Sequence, residues 1–256
     1  MKVTILGCGG AAGVPTISGG WGACDPDNAR NRRRRSSILV EQGDTRILVD
    51  TTPDLRDQLL DNQIRSVDAV VYTHDHADHL HGIDDLREIN RTTRSWLPVW
   101  GDAKTLETAK TRFPYAFEPL EEIGEFIYRP MLTAHAINGP FQIADIAVTP
   151  FDQDHGYSRT LGLRFGPIAY STDVVNMPEE SFTVLAGIHT WIIGCLVDYP
   201  HQTHAHIGKA LEWIKRINPR RAIITHMGSR LDYEAVCQAL PAQVRPAYDG
   251  LVLEAF

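Results

Sequence analysis

The chain has 256 residues, of which 43% are hydrophobic, and its formal net charge is -7 at pH 7. This length and apolar content are enough to bury a substantial core without the help of disulfides. The acidic balance argues against a generic binder of nucleic acid or of anionic membranes, because both polyanions would repel the average surface. No apolar run reaches the roughly 18 residues that a membrane span needs, so we expect a soluble, cytoplasmic protein without a membrane partner.

Elements predicted from hydrophobic periodicity alternate between strand and helix along the chain. Strands are predicted at residues 3–6, 37–41, 46–49, 69–73, 146–150, 160–165, 168–171, 191–196 and 222–225. Helices are predicted at residues 53–62, 83–91, 104–112, 205–217 and 233–240. The early strand pair is joined through Gln42, Gly43 and Asp44, which indicates a hairpin. An α/β fold with two mixed sheets between helices therefore fits better than a purely parallel sheet.

The domain organisation predicted from the sequence is a single domain over residues 1–256, because the sequence has no internal repeat and no long linker. The least regular stretches, residues 15–35 and 113–140, are candidates for walls or lids of a binding site. The four cysteines are far apart and form no CxxC pair, which argues against a disulfide scaffold and fits a reducing compartment.

One segment carries most of the chemical information: VVYTHDHADH, residues 70–79, in which a buried-looking strand runs into an HxHxDH motif. In a core, these polar groups would need partners, and an exposed turn has no reason to place imidazoles at alternate positions. Imidazole and carboxylate are the usual ligands of zinc, manganese and iron. Alternation sends His74 and His76 to one side, and the following turn presents Asp78 and His79 to a neighbouring position.

Further ligand candidates follow later predicted strands: His155, Asp173 and His226. Taken singly, each of these could equally be a satisfied loop or core residue, and the joint pattern is what favours a metal site. HxHxDH followed by a spaced histidine, a strand-end aspartate and a late histidine resembles the metallo-β-lactamase superfamily over nearly the whole chain. The resemblance implies a four-layer αβ/βα sandwich of two mixed β-sheets with two divalent metal ions at the sheet edges.

By this resemblance, each predicted ligand acquires a role. The first ion would be held by His74, His76 and His155, the second by Asp78, His79 and His226, and Asp173 would bridge the two. Asp50, which closes the apolar run of residues 47–49, resembles the aspartate that orients the metal loop without binding metal itself. The ions would be Zn²⁺ or Mn²⁺, with Fe²⁺ as a further option, since such sites accept all three.

The N-terminal LGCGGAAGVP, residues 6–15, and NRRRRSS, residues 31–37, are similar to the start of the phosphodiesterase branch of this superfamily. That branch contains the phosphoribosyl 1,2-cyclic phosphate phosphodiesterase of phosphonate breakdown and, more distantly, ribonuclease Z. The glycines would let a phosphate approach the backbone, or they form a tight turn after the first strand. Where the phosphonate enzyme often carries several cysteines for a structural zinc, only Cys24 is present here, so we expect no third zinc.

His204, within PHQTHAH at residues 200–206, resembles the histidine that these phosphodiesterases place near the scissile phosphate. We expect His204 to donate a proton to the leaving oxygen or to steady the phosphoryl charge. The alternative is that Thr203 caps the next helix and the histidines decorate its first turn. The resemblance implies a dinuclear phosphodiesterase for a small ribose phosphate or nucleotide, in which a hydroxide held between the metals by Asp78 and Asp173 attacks phosphorus.

Other functions stay open at this point. A ribonuclease Z-like endonuclease for RNA 3′ ends would use Arg32 to Arg35 as an RNA contact, whereas a solvated or ion-paired strand entry is the simpler interpretation. The sequence lacks the long basic arm that grips tRNA in ribonuclease Z, which favours the small substrate. A thioester or lactone hydrolase and a non-enzymatic nucleotide sensor are less favoured, the sensor because every ligand is retained. A homodimer would follow the habit of the superfamily.

Overall fold

Residues 1–119 and 127–255 of the computed structural model are described here, and they form two seven-stranded β-sheets. The strands of the first sheet are β1 Lys2–Gly7, β2 Ser37–Gln42, β3 Thr45–Val49, β4 Ala69–Val71, β5 Leu97–Gly101, β6 Leu132–Ala136 and β14 Val252–Glu254. The strands of the second sheet are β7 Phe141–Ile143, β8 Ile146–Asp154, β9 Arg159–Phe165, β10 Ile168–Ser171, β11 Thr190–Gly194, β12 Arg221–Thr225 and β13 Val244–Pro246.

Both sheets are mixed, and their strand orders correspond. The first runs β14-β1-β2-β3-β4-β5-β6 and the second β7-β8-β9-β10-β11-β12-β13. In each sheet the first four strands pair antiparallel, and the pairings after the fourth strand are parallel. The two sheets thus share the same order of antiparallel and parallel pairings, although the amino-acid sequence carries no visible repeat. They differ in the first strand, which comes from the C-terminal β14 in one sheet and from β7, directly before β8, in the other.

Helices cover the outer faces of the two sheets. They are α1 Leu55–Asp61, α2 Ala77–Leu80, α3 Leu86–Thr93, α4 Ala103–Arg112, α5 Glu179–Leu185, α6 Ile207–Ile217 and α7 Tyr233–Ala239. Apolar side chains of α1, α3 and α4 pack in one cluster with the outer face of the first sheet. Those of α5, α6 and α7 join the cluster of the second sheet. The predicted four-layer sandwich is confirmed, and no helix among the described residues has the length and apolar content to cross a bilayer.

Most strands that lead into the site, β3, β4, β10 and β12, are buried on both faces, and so is β2 beside them. In β2, Ile38 and Val40 belong to the core between the sheets, whereas Leu39 belongs to the core beneath the helices of the first sheet. Burial on both faces explains why such strands are nearly continuous apolar runs rather than alternating ones. Packing on two sides fixes the positions of the strand ends, and these ends carry the chemistry described below.

Several short elements differ from the sequence-based predictions. The hairpin between β2 and β3 is confirmed, with Gly43 at a φ of 57° in its turn. Strands β5, β6, β7, β13 and β14 and helices α2 and α5 were not predicted. Strand β4 ends at Val71 rather than at Thr73. The irregular stretch predicted at residues 113–140 includes β6, and its residues 120–126 lie outside the described ones.

Candidate metal centre

The predicted ligands gather at one edge of the sandwich, where strands of both sheets end. His74 and His76 follow β4, Asp78 and His79 lie on the single turn of α2, His155 follows β8, Asp173 follows β10 and His226 follows β12. Asp173 and His226 have left-handed backbone, with φ of 49° and 55°, as does Asp50 after β3, with φ of 66°. Such conformations cost about 1 kcal/mol or more for residues other than glycine, and they concentrate at functional sites.

The side chains form compact groups of potential ligands. His74, His76 and His155 bring their ligand atoms within 4.8 Å of one another, and so do Asp78, His79 and His226. These two groups are the ligand sets that the sequence suggested for the two ions. Asp173 occurs in two further groups, one with His74 and His79 and one with His155 and His204.

Asp173 faces both groups with different oxygens. Its Oδ2 lies 2.9 Å from Nε2 of His79 and 3.2 Å from Nε2 of His226. Its Oδ1 lies 3.6 Å from Nε2 of His155 and 2.9 Å from Nε2 of His204. A carboxylate in this position has one oxygen available to each group, which is the geometry that a bridging ligand requires.

The nitrogen atoms of the site fit a metal better than they fit a hydrogen-bonded core. Among the described residues, Nε2 of His74 is buried without a hydrogen-bond partner. Nε2 of His79 and of His226 is also buried, and their short contacts with Asp173 lack the geometry of a hydrogen bond. A buried polar atom without a hydrogen bond is costly and usually marks a bound ion, a water or a catalytic role. Imidazole nitrogens and carboxylate oxygens at this spacing are suitable ligands for a divalent cation.

Burial and neighbouring charges shift the pKa values of the side chains in this cluster. Burial lowers the pKa of His74 well below its ordinary value and also lowers that of His155. Burial would raise the pKa of Asp173, but His226 and His79 outweigh it and hold that pKa well below the usual range. The neutral rings of His74 and His155 and the ionised Asp173 are the forms that bind metal ions. Burial would lower the pKa of His79, but Asp173, Asp78 and Asp50 outweigh it and hold that pKa well above its ordinary value. His79 would therefore have to lose a proton on binding an ion.

Outer hydrogen bonds fix the orientation of three imidazoles. Nδ1 of His79 lies 2.7 Å from Oδ2 of Asp50, a contact that is compatible with the orienting role that the resemblance implies for this aspartate. Nδ1 of His155 bonds the carbonyl of Thr203 at 2.7 Å, and Nδ1 of His74 lies 3.0 Å from the hydroxyl of Thr73. The last two contacts were not predicted. A backbone carbonyl has no residue signature, and a threonine at a strand end is ordinary strand chemistry.

His204 lies on the loop before α6, at the rim of the cluster. Its side chain is 16% exposed, against 3% for Asp173. The alternative in which Thr203 caps the helix is wrong, because α6 begins at Ile207 with His206 in the cap position. The Thr203 hydroxyl instead contacts Nδ1 of His204 at 2.8 Å. Burial lowers the pKa of His204, so its neutral ring can donate from Nε2 toward the site.

The glycine-rich loop after β1 packs against the chain segment that carries His226. A Cβ on Gly10 would lie 2.6 Å from Leu196 Cδ1 and 3.5 Å from the His226 ring. The amide of Gly13 donates to the carbonyl of Gly10 at 2.8 Å, and Gly13 has a φ of 65°, so the loop makes a tight turn. Here the glycines allow close approach to a ligand-bearing segment.

The arginine run is largely engaged within the protein. Arg34 pairs with Asp61 and Arg35 with Asp54, each at 2.7 Å. Arg33 is 2% exposed, and its guanidinium bonds backbone and side-chain oxygens. The exposed Arg32 has its guanidinium over the Trp21 ring at 5.1 Å. This arrangement favours the ion-paired interpretation of the run over an RNA contact.

The fold and the His and Asp cluster define a class of protein, the metallo-β-lactamase type of hydrolase, whose site suits divalent metal ions. The chain belongs to the family described as Beta-lactamase superfamily domain, which matches residues 45–227. Its backbone is similar to that of a solved structure described as a new diphosphatase from the PhnP family, with a TM-score of 0.91 and 32% identity over 100% of this chain and 98% of that one.

Two further proteins are similar to this chain, one in its fold and one in part of its length. The short form of human tRNase Z shares the fold, with a TM-score of 0.71 over 99% of each chain at 16% identity. At 16% identity this likeness shows the fold alone, and the PhnP-family structure, at 32% identity, is the one that supports the predicted branch. An octanoyltransferase of Porphyromonas gingivalis is 30% identical over 98% of this chain and 51% of its own length. The chain therefore spans about half the length of that curated relative.

Proposed function

We propose that this protein is a dinuclear metal-dependent phosphodiesterase that hydrolyses a small ribose phosphate or nucleotide diester, cyclic or linear. The observation that carries the proposal is the position of Asp173, with one oxygen toward the His79 and His226 side and the other toward His155. A pair of ions sharing one carboxylate suits phosphoester hydrolysis, because two cations can neutralise both the attacking and the leaving oxygen.

The ligand sets follow from the groups already described. One Zn²⁺ or Mn²⁺ ion, or Fe²⁺ in their place, would be held by His74, His76 and His155, and the other by Asp78, His79 and His226, with Asp173 as the shared ligand. When bound, such ions lower the pKa of water and neutralise phosphoryl charge. Asp78 and Asp173 would hold the attacking group in place.

His204 is the residue assigned to the phosphoryl group. Its Nε2 lies 2.9 Å from Asp173 Oδ1, so its ring is directed into the centre from the more exposed side. The lowered pKa of His204 favours the neutral ring at pH 7. Of the two roles open for this residue, a hydrogen bond to a phosphoryl oxygen is therefore favoured over full proton donation.

Two observations favour a small substrate over RNA. The PhnP-family diphosphatase matches the chain along its whole length at 32% identity, whereas the tRNase Z likeness is one of fold. The basic run that could have contacted RNA is occupied by Asp61, Asp54 and internal oxygens. Diphosphate-linked nucleotides belong in the substrate screen, because that relative is a diphosphatase.

The longer curated relative is an octanoyltransferase, which raises the question of acyl transfer through a thiol. The cysteines of this chain do not support such a reaction. Burial raises the pKa of all four thiols, those of Cys8, Cys24, Cys195 and Cys237. A nucleophilic cysteine requires the opposite shift. The octanoyltransferase activity is therefore not proposed for this chain.

The test combines metal content with turnover. We expect about two ions per chain by plasma mass spectrometry and metal-dependent hydrolysis of bis(p-nitrophenyl) phosphate in the purified protein. His76→Ala should lose turnover, while His189→Ala, a matched substitution beside β11, should retain it. Two ions with turnover of thioesters or lactones and none of phosphodiesters would overturn the proposal, and tight nucleotide binding without any turnover would replace it with a sensor.

A further inference from the structure

A buried chain of hydrogen bonds through Thr73 and Asp50 connects the two groups of proposed metal ligands. The Thr73 hydroxyl donates to Oδ2 of Asp50 at 2.8 Å and lies 3.0 Å from Nδ1 of His74. The same Oδ2 lies 2.7 Å from Nδ1 of His79. Asp50 and Thr73 have no exposed surface, so water does not compete for these contacts.

The direction of donation along this chain follows from the chemistry of its members. An ionised carboxylate only accepts, so the single hydroxyl proton of Thr73 goes to Asp50. The hydroxyl oxygen can then only accept from His74, which places the ring proton on Nδ1 and leaves the lone pair on Nε2. His79 donates to Asp50 in the same way. In the His74 ring the free lone pair is then on the buried Nε2, which has no hydrogen-bond partner among the described residues.

We infer that one carboxylate, Asp50, orients a ligand of each ion: His79 directly, and His74 through the hydroxyl of Thr73. Thr73 is a positioning residue, and the inference rests on the two-ion site proposed above. The two groups share this partner because His74 belongs to the set with His76 and His155, whereas His79 belongs to the set with Asp78 and His226.

The backbone around Thr73 holds the hydroxyl in place. Its amide donates to Oδ1 of Asp50 at 2.8 Å, so the same carboxylate binds Thr73 through both backbone and side chain. Its carbonyl accepts from the amide of Leu161 in the second sheet at 2.9 Å. Valine at position 73 would preserve this backbone frame and the side-chain shape, and would remove the one group that connects Asp50 to His74.

Thr225 offers a matched control. It immediately precedes a proposed ligand, His226, as Thr73 precedes His74, and it is equally buried. Its hydroxyl has no hydrogen-bond partner among the described residues. Thr225→Val therefore makes the same chemical change at an equivalent place without breaking an orienting bond.

The experiment is a Zn²⁺ titration of metal-free protein against a chromophoric chelator, with circular dichroism of each metal-free variant as the folding check. Loss of an outer orienting partner typically weakens metal binding by about 10- to 100-fold. We expect Thr73→Val to weaken one of two Zn²⁺ sites by about that factor and to leave the other unchanged. Thr73→Ser should restore it, Asp50→Asn should weaken both sites, and Thr225→Val should weaken neither.

The outcomes separate the inference from the function on which it rests. Wild-type protein that binds fewer than two Zn²⁺ ions would overturn both. Wild-type protein with two ions, combined with a Thr73→Val variant that binds both as tightly or weakens both equally, would overturn the inference alone. If Thr73→Val fails to fold, a Thr73→Ser variant that folds but loses one site would also overturn it, because the serine hydroxyl retains the bond.

Discussion

Replacing Arg33 with methionine tests how the segment after His226 is held in position. Arg33 donates from Nη1 to the carbonyl of Gly228 at 3.2 Å and from Nη2 to the carbonyl of Leu231 at 2.6 Å. Nη2 also donates to Oδ1 of Asn31 at 3.1 Å. Methionine keeps most of the apolar volume of the arginine stem and removes all of these donors.

The magnitude can be worked from these bonds. A buried acceptor left without its donor costs about 1 to 3 kcal/mol. Oδ1 of Asn31 and the carbonyl of Gly228 keep a second donor, the amides of Tyr233 and Leu231. The carbonyl of Leu231 loses its donor, so we expect a loss of about 1 to 3 kcal/mol in the free energy of unfolding. The assay is urea denaturation at pH 7, followed by circular dichroism. The control is Arg32→Met, because Arg32 is exposed and contacts the ring of Trp21. A substitution there should change stability by less than about 1 kcal/mol.

The outcome also bears on function, because the clamped segment follows directly on the proposed ligand His226. A displaced segment should weaken binding at that ion, and we expect lower turnover from the folded fraction of Arg33→Met. The reasoning would be refuted if Arg33→Met unfolded within about 1 kcal/mol of wild type, or if Arg32→Met were equally damaging.

Three further predictions concern ligation, catalysis and pH. His76→Ala, or Asp78→Ala, should abolish hydrolysis while the far-ultraviolet circular dichroism stays native, and normal turnover in either variant with reduced metal content would contradict the two-ion scheme. His204→Ala should retain both ions and lose about 100-fold or more in kcat, whereas full turnover would exclude a catalytic role. Burial raises the pKa of Asp249 from 3.8 to about 6, so the folded state binds a proton between these values that the unfolded state lacks. The stability of wild type relative to Asp249→Asn should therefore fall as the pH rises from about 4 to 7 in urea titrations, and a constant difference would refute the assignment.

The ligand candidates could be identified from the sequence because their chemistry is local. HxHxDH is contiguous, and His155, Asp173 and His226 each stand shortly after a predicted strand. Strand ends of a sandwich meet at common edges, so the clustering of these residues follows from topology once the strands are known.

The contacts that orient the ligands are not local, and the sequence does not reveal them. The carbonyl of Thr203 reaches His155 across 48 positions of the chain. Every residue has a backbone carbonyl, so the residue type at position 203 does not show that its carbonyl binds a histidine. The exposure of each residue in the arginine run is likewise not evident from the sequence, because all four residues are of one type. Tertiary packing buries Arg33 and leaves Arg32 exposed.

The correspondence of the two sheets has a consequence at the centre of the site. β3 and β10 occupy the same place in their sheets, each antiparallel to the strand before it and parallel to the strand after it. Each is followed by an aspartate with left-handed backbone, Asp50 and Asp173. These two aspartates approach the ring of His79 from opposite sides, at Nδ1 and at Nε2.

The imidazole of His79 thus lies between two aspartates that follow equivalent strands, one in each sheet. Each proposed ion likewise takes ligands from both: His155 joins His74 and His76, and His226 joins Asp78 and His79. Neither half can assemble a complete coordination sphere by itself. The ions would fasten one sheet to the other, and metal uptake during refolding would report the moment at which the two halves dock.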